Sequence, residues 1–259
     1  MAVPVTPQEM QSPEYKYYLR DMTAPDPDRY LQIDREPLDP ANALTIEHMN
    51  DLFLDGYLPG EFGTCVLPNG TAVVANLLKM PGVTIEMVDW WFAWHGLAPI
   101  RYKMWDKDEH YDIHTSDPDR RRNPAIPMRE RYWDTFDLVS EDNFGTGPRE
   151  INIHFRNPAD IGFDPEKLAA FDGTIICAGD EHAPTVMCHF VRPIPGGVEF
   201  RSRFWVGYSI VDGKPVKVLP EGKSVPAQQG KLMLRHNVKE YTNLAAILPE
   251  VYAEFKNYW

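Results

Sequence analysis

His236 and Glu240 stand four residues apart within Lys231–Lys256, where Leu234, Val238, Tyr241, Ala245, Leu248, Tyr252 and Phe255 recur every three or four positions. That period predicts a long amphipathic helix, and on a helix residues i and i+4 lie one above the other on one face. An imidazole nitrogen and a carboxylate so placed can bind a single divalent metal; the plainer alternative is a solvated i,i+4 pair. Seven of the eight histidines fall between His95 and His236 and offer further ligands. His95 ends the run Trp90-Trp91-Phe92-Ala93-Trp94-His95, His110 and His114 flank Tyr111-Asp112-Ile113, and Glu141 ends a β-like segment. Two histidines with one or two carboxylates, open at one coordination position, suit hydrolytic chemistry at a carbonyl. Spacing alone leaves the choice among these ligands open.

The elements that must position these groups follow from periodicity and turn chemistry. Thr45–Tyr57 predicts a short amphipathic helix, capped by Thr45 and stopped by Gly56. Leu67-Pro68-Asn69-Gly70 is a turn signal, and Thr71–Leu78 after it predicts a buried strand. Thr84 caps a helix over Val83–His95. Strands follow at Thr135–Glu141, Glu150–Phe155, Thr174–Ala178, Pro184–Arg192 and Val198–Tyr208. The last alternates, with Val198, Phe200, Phe204, Val206 and Tyr208 on one face and Glu199, Arg201, Arg203 and Trp205 on the other. Arg120-Arg121-Arg122, set among Asp and Pro, predicts a loop, and Pro249 is a potential kink in the terminal helix. His48, His154 and His182 are assigned to surface or turns. Antiparallel strands followed by one long helix describe an α+β fold, a curved sheet wrapped around a helix with a cavity between them. Residues 1–60, with seven prolines in the first 42, are assigned to an N-terminal extension or small cap, and 61–259 to the catalytic domain.

Composition narrows the partners. The chain has 259 residues, 26 Lys+Arg against 38 Asp+Glu, and a formal net charge of −12. So acidic a chain lacks the dense basic surface that displaces counterions from nucleic acid or an anionic membrane. No apolar run reaches the roughly 18 residues of a membrane-spanning helix, and the N-terminus lacks a signal-peptide pattern. Cys65, Cys177 and Cys188 are dispersed in apolar surroundings and are expected as reduced core residues of a cytoplasmic protein. There is no Gly-rich phosphate loop and no Gly-x-Ser-x-Gly elbow. Aromatic usage is high, with 7 Trp, 12 Tyr and 12 Phe, which suits walls for a flat aromatic ligand.

Specific residues carry a resemblance beyond these patterns. Pro81-Gly82-Val83-Thr84, Asp89-Trp90-Trp91-Phe92-Ala93-Trp94-His95, Arg101-Tyr102-Lys103-Met104-Trp105 and His110 are followed by Glu130-Arg131-Tyr132, Glu141, Cys188-His189-Phe190-Val191-Arg192, Arg201-Ser202-Arg203-Phe204-Trp205 and His236-x3-Glu240. Over most of residues 60–256 the chain resembles the zinc-dependent hydrolases of diacetylphloroglucinol and phloretin, which cleave an aryl–acyl carbon–carbon bond in acylated polyphenols. The resemblance implies a Bet v 1-like fold and Zn2+ ligands at His110, Glu141, His236 and Glu240, with His95 and His114 outside the ligand set. Manganese, iron or cobalt would suit the same donors. It also implies that Tyr102 and His189 contact phenolic oxygens, and it sets Phe204 where the diacetylphloroglucinol enzyme has a tyrosine. Trp91 and Trp105 are expected on the substrate wall.

The expected activity is therefore metal-dependent hydrolysis of the carbon–carbon bond between an acyl group and a phenolic ring, or of a β-diketone. The metal would polarise the acyl oxygen or activate a water. A ring with ortho and para hydroxyls can react as its keto tautomer and leave as an enolate. Glu141 or Glu240 is expected to shuttle the proton, and Tyr102 and His189 to position ring oxygens. A non-catalytic carrier of aromatic ligands with the same fold, or a metal-dependent polyketide cyclase or lyase, is the alternative. The partner expected is a small aromatic or polyketide substrate, and the proline-rich start is assigned to a homodimer contact or a lid over the cavity.

Overall fold

Turn-bounded apolar segments build one eight-stranded antiparallel sheet in the computed structural model, which describes residues 2–142, 145–180 and 184–259. His182 lies outside them. The strands are β1 (Gly63–Val66), β2 (Ala72–Pro81), β3 (His110–Thr115), β4 (Phe136–Asp142), β5 (Pro148–Arg156), β6 (Thr174–Asp180), β7 (Thr185–Ile194) and β8 (Gly197–Val206). Their spatial order is β1-β2-β8-β7-β6-β5-β4-β3. A two-stranded ribbon follows, β9 (Tyr208–Val211) and β10 (Lys214–Lys217). Gly207, at φ +101°, divides the expected strand Val198–Tyr208 between β8 and β9. β1 and β3 were not anticipated as strands.

The helices are α1 (Tyr15–Tyr18), α2 (Pro27–Arg35), α3 (Ile85–Trp94), α4 (Pro99–Lys103), α5 (Pro118–Arg122), α6 (Pro165–Ala170) and α7 (Ala227–Phe255). Thr84 caps α3, its Oγ1 accepting from the Met87 N–H at 3.3 Å. α7 runs through Pro249 without ending. Two expectations are corrected here. The segment Thr45–Tyr57 holds a 3₁₀ stretch, Ile46–Phe53, interrupted at His48, and the Thr45 side chain makes no capping bond. Arg120–Arg122 form α5 instead of a loop, because the Asp117 side chain accepts from the Arg120 N–H at 2.9 Å and Pro118 fits the first turn.

Both faces of the sheet are covered. α7 packs on β1 and β2, and α3 packs on α7. Trp90, Trp91, Phe92, Trp94, Tyr241 and Leu248 belong to one core there. A second core joins Leu44, Ile46, Met49 and Leu52 to Trp205, Phe190 and Cys188. Glu199, Arg201 and Arg203, the charged side of β8, are consequently buried; Glu61 accepts from Arg201 Nη2 and from Arg203 Nη2, each at 2.6 Å. All three cysteines are buried and free. Among the described residues no helix is long and apolar enough to cross a membrane.

The first 60 residues are built into this body. Glu9 pairs with Lys103 at 2.7 Å and Glu14 with Arg101 at 2.9 Å, all four being buried on either side of Tyr102. No described residue of this segment lines the cavity below, so a lid role has no contact to support it.

Where α7 crosses β1, a Cβ on Gly230 would overlap Thr64 Oγ1. Overpacking outweighs the helix-propensity gain of roughly 1 kcal/mol. Gly230→Ala should therefore destabilise by about 1–2 kcal/mol in urea melts. On a Thr64→Ala background the same change should stabilise; destabilisation in both backgrounds would refute the packing argument.

Candidate metal centre and cavity

Strand register brings the first two ligand candidates together: His110 on β3 is the direct Cα partner of Glu141 on β4. α7 supplies His236 and Glu240 one turn apart. His110 Nε2 lies 3.7 Å from Glu240 Oε2, and His236 Nε2 lies 3.9 Å from both Glu141 Oε2 and Glu240 Oε2. Donors about 2.0–2.2 Å from a shared ion are at most about 4.4 Å apart, so these separations fit a common metal.

The other nitrogen of each imidazole is already used. His110 Nδ1–H donates to the Tyr102 carbonyl at 3.1 Å, and His236 Nδ1–H donates to the Glu109 carboxylate. Such partners orient each ring with Nε2 toward the neighbouring carboxylates, and a metal taking the place of any proton on Nε2 would find its lone pair there. His110 Nε2 is buried and has no hydrogen-bond partner among the described residues. An unpaired buried nitrogen is costly, and a metal ligand role removes the cost.

The charges argue the same way. Asp106, Glu109, Glu141 and Glu240 crowd around His236, and Lys239 lies 3.0 Å from Asp106 and 2.5 Å from Glu109. Burial pushes the Glu240 carboxyl up to about 8, and Glu141 and Asp106 add to that. Burial opposes a charge on His236, but Glu240, Glu109 and Glu141 outweigh it and raise the imidazole to about 10. Burial, with His236 close by, holds His110 well below the ordinary histidine value. A divalent cation would relieve this excess of negative charge.

Asp106, His110 and His236 also offer donor atoms within 4.8 Å of one another. Asp106 is, however, already paired with Lys239 at 3.0 Å, whereas Glu141, His236 and Glu240 line the cavity wall. Glu141, His236 and Glu240 thus face the cavity, and His110 lies buried behind them with its Nε2 3.7 Å from Glu240 Oε2.

The cavity has a volume of about 200 Å³. Phe92, Ile113, Val139, Ile151, Phe155 and Met187 give it apolar walls. Tyr102, Trp105, His189 and Phe204 line it as well. The Tyr102 hydroxyl donates to Glu141, and its ring stacks on His110 at 3.9 Å and 7°. Trp105 Nε1–H donates to the Glu240 carbonyl at 3.0 Å. Trp91 is a correction: it does not line the cavity, because its ring is stacked on His95 at 5.5 Å and is fully buried. His95 is bonded to the Trp91 carbonyl at 2.8 Å, and His114 is exposed beside Asp112.

Glu109, Lys239, Tyr241 and Ser202 were not singled out from the sequence. Glu109 directly precedes His110 and Tyr241 follows Glu240, so adjacency to an expected ligand was the available signal. Tyr241 instead counted as part of the apolar stripe of α7.

A family model described as DAPG hydrolase PhiG domain matches residues 44–253. The chain is 37% identical over 263 residues to phloretin hydrolase of Eubacterium ramulus, covering 98% of this chain and 94% of that protein. It is 28% identical over 262 residues to 2,4-diacetylphloroglucinol hydrolases of a Pseudomonas species and of Pseudomonas protegens, covering 94% of this chain in each case. Of those two proteins it covers 88% and 84% respectively.

Proposed function

The chain belongs to the DAPG hydrolase PhiG domain family, and from that premise we propose that it hydrolyses the carbon–carbon bond joining an acyl group to a hydroxylated aromatic ring. The observation that carries this is the cluster of Glu141, His236 and Glu240 on the wall of an apolar cavity with His110 buried directly behind them, its Nε2 without a hydrogen-bond partner among the described residues. Zn2+ is the ion we assign to them. When bound, such an ion supplies the positive charge that polarises the acyl oxygen. We further read the sheet and terminal helix as Bet v 1-like, and the three buried thiols as those of a cytoplasmic protein.

The net reaction adds water across the bond: the acyl carbon gains the hydroxyl and leaves as a carboxylic acid, while the ring carbon gains a proton. A phenolic ring accepts the bonding electrons when it departs as the enolate of its keto tautomer. Tyr102 Oη, bonded to Glu141 at the cavity wall, is placed to exchange a proton between that carboxylate and the ring. Burial, reinforced by Glu141, raises Tyr102 well above the ordinary tyrosine value, so the phenol stays protonated. The apolar walls keep bulk water from the departing carbanion equivalent.

Incubation of the zinc-loaded protein with phloretin and with 2,4-diacetylphloroglucinol should release the carboxylic acid from at least one, read by chromatography. Binding of both without any release would overturn the proposal in favour of an aromatic-ligand carrier.

A further inference from the structure

His189 faces the cavity, yet both its ring nitrogens are taken by the protein. Nδ1 is 2.8 Å from Ser202 Oγ, and Nε2 is 2.8 Å from Tyr241 Oη. Register places Ser202 opposite His189 across β7 and β8, and Tyr241 reaches the ring from α7. His189 is buried, and that burial pulls its imidazole down to about 3, so it is neutral, with one donor and one acceptor nitrogen. Both are spent, and a ligand finds no free nitrogen there.

Tyr241 Oη has capacity to spare. If the phenol donates to Nε2, its oxygen still accepts from a ligand; if Nε2–H donates to the phenol, its proton is free to be given. A ring hydroxyl on a ligand is donor and acceptor at once and matches either state. Tyr241 lines the cavity and directly follows Glu240, while Phe204, the aromatic neighbour of His189 on the same wall, has no hydroxyl. Phe200 and Trp105 hold the Tyr241 ring at 5.0 and 5.4 Å.

We propose that Tyr241 is a specificity-determining residue, whose hydroxyl, held by His189, binds a ring hydroxyl of the phenolic substrate. This rests on the acyl-phenol function above. It also replaces His189 with Tyr241 as the direct polar contact on this wall.

The test is binding to the metal-loaded protein, followed by the fluorescence of Trp105 and its neighbours or by calorimetry, and needs no turnover. Phloroglucinol carries ring hydroxyls and acetophenone carries none. Tyr241→Phe should weaken phloroglucinol about tenfold, the loss of one hydrogen bond plus an unsatisfied ligand hydroxyl. Acetophenone affinity should stay the same, which shows that the cavity is intact. Equal phloroglucinol affinity in wild type and variant, an equal loss for both ligands, or no phloroglucinol binding by wild type would each overturn the assignment. If phloroglucinol discriminates as expected but no acylated phenol is cleaved, Tyr241 stands and the hydrolase function falls.

Discussion

His110→Ala should lose zinc and turnover together, with kcat/KM for an acylated phenol falling by about three orders of magnitude or more. The substitution removes the nitrogen that has no hydrogen-bond partner among the described residues. It also removes the ring stacked on Tyr102, so the phenol beside Glu141 loses its backing as well. Glu240→Gln should behave similarly, because its Oε2 is the group lying near both imidazoles, at 3.7 and 3.9 Å. Asp106→Asn provides the comparison. Asp106 belongs to an alternative donor group with His110 and His236 but pairs with Lys239 away from the cavity. Disturbing a supporting partner of that kind costs about 10–100-fold in affinity or activity. Metal analysis after dialysis, run beside kinetics, decides the matter. Retention of full zinc by His110→Ala, or a larger loss in Asp106→Asn than in Glu240→Gln, would sink the assigned ligand set.

The half of the proposed centre on α7 was legible because a helix turns four residues of sequence into one face. The other half was not, because His110 and Glu141 meet only through a strand register spanning an intervening 3₁₀ turn and α5. Family resemblance supplied that pairing; periodicity could not. The same physical limit hid the covering of β8. Its alternation holds up to Gly207, beyond which Tyr208 packs in the core of Trp205 and not with Val198 and Phe200, and Arg201 and Arg203 are paired with Glu61, some 140 residues away in sequence. Local patterns report which side of a strand is charged, and a distant segment decides whether that side sees water. Trp91 shows the converse: a tryptophan beside the right residues in sequence points into the core, since consecutive helix positions face different directions.

Asp137→Ala should cost about 3–5 kcal/mol, and lower Tm by roughly 10 °C, because it strands a buried guanidinium. Arg121 is fully buried and reaches three groups: Asp137 Oδ1 at 2.7 Å, Thr135 Oγ1 at 3.0 Å and the Phe92 carbonyl at 2.7 Å. It therefore ties α5 to α3 and to β4 at once. On β4, Asp137, Val139, Glu141 and Asp142 line the cavity, so this ion pair anchors the strand that delivers a proposed ligand. The pair itself need not add net stability, since burying two charges consumes much of what their attraction returns. The double change Arg121→Met with Asp137→Leu should accordingly cost less than Asp137→Ala alone. Urea melts of the three proteins measure this directly. A loss within 1 kcal/mol for Asp137→Ala would show that solvent reaches Arg121, and the role of α5 as a structural anchor would fall with it.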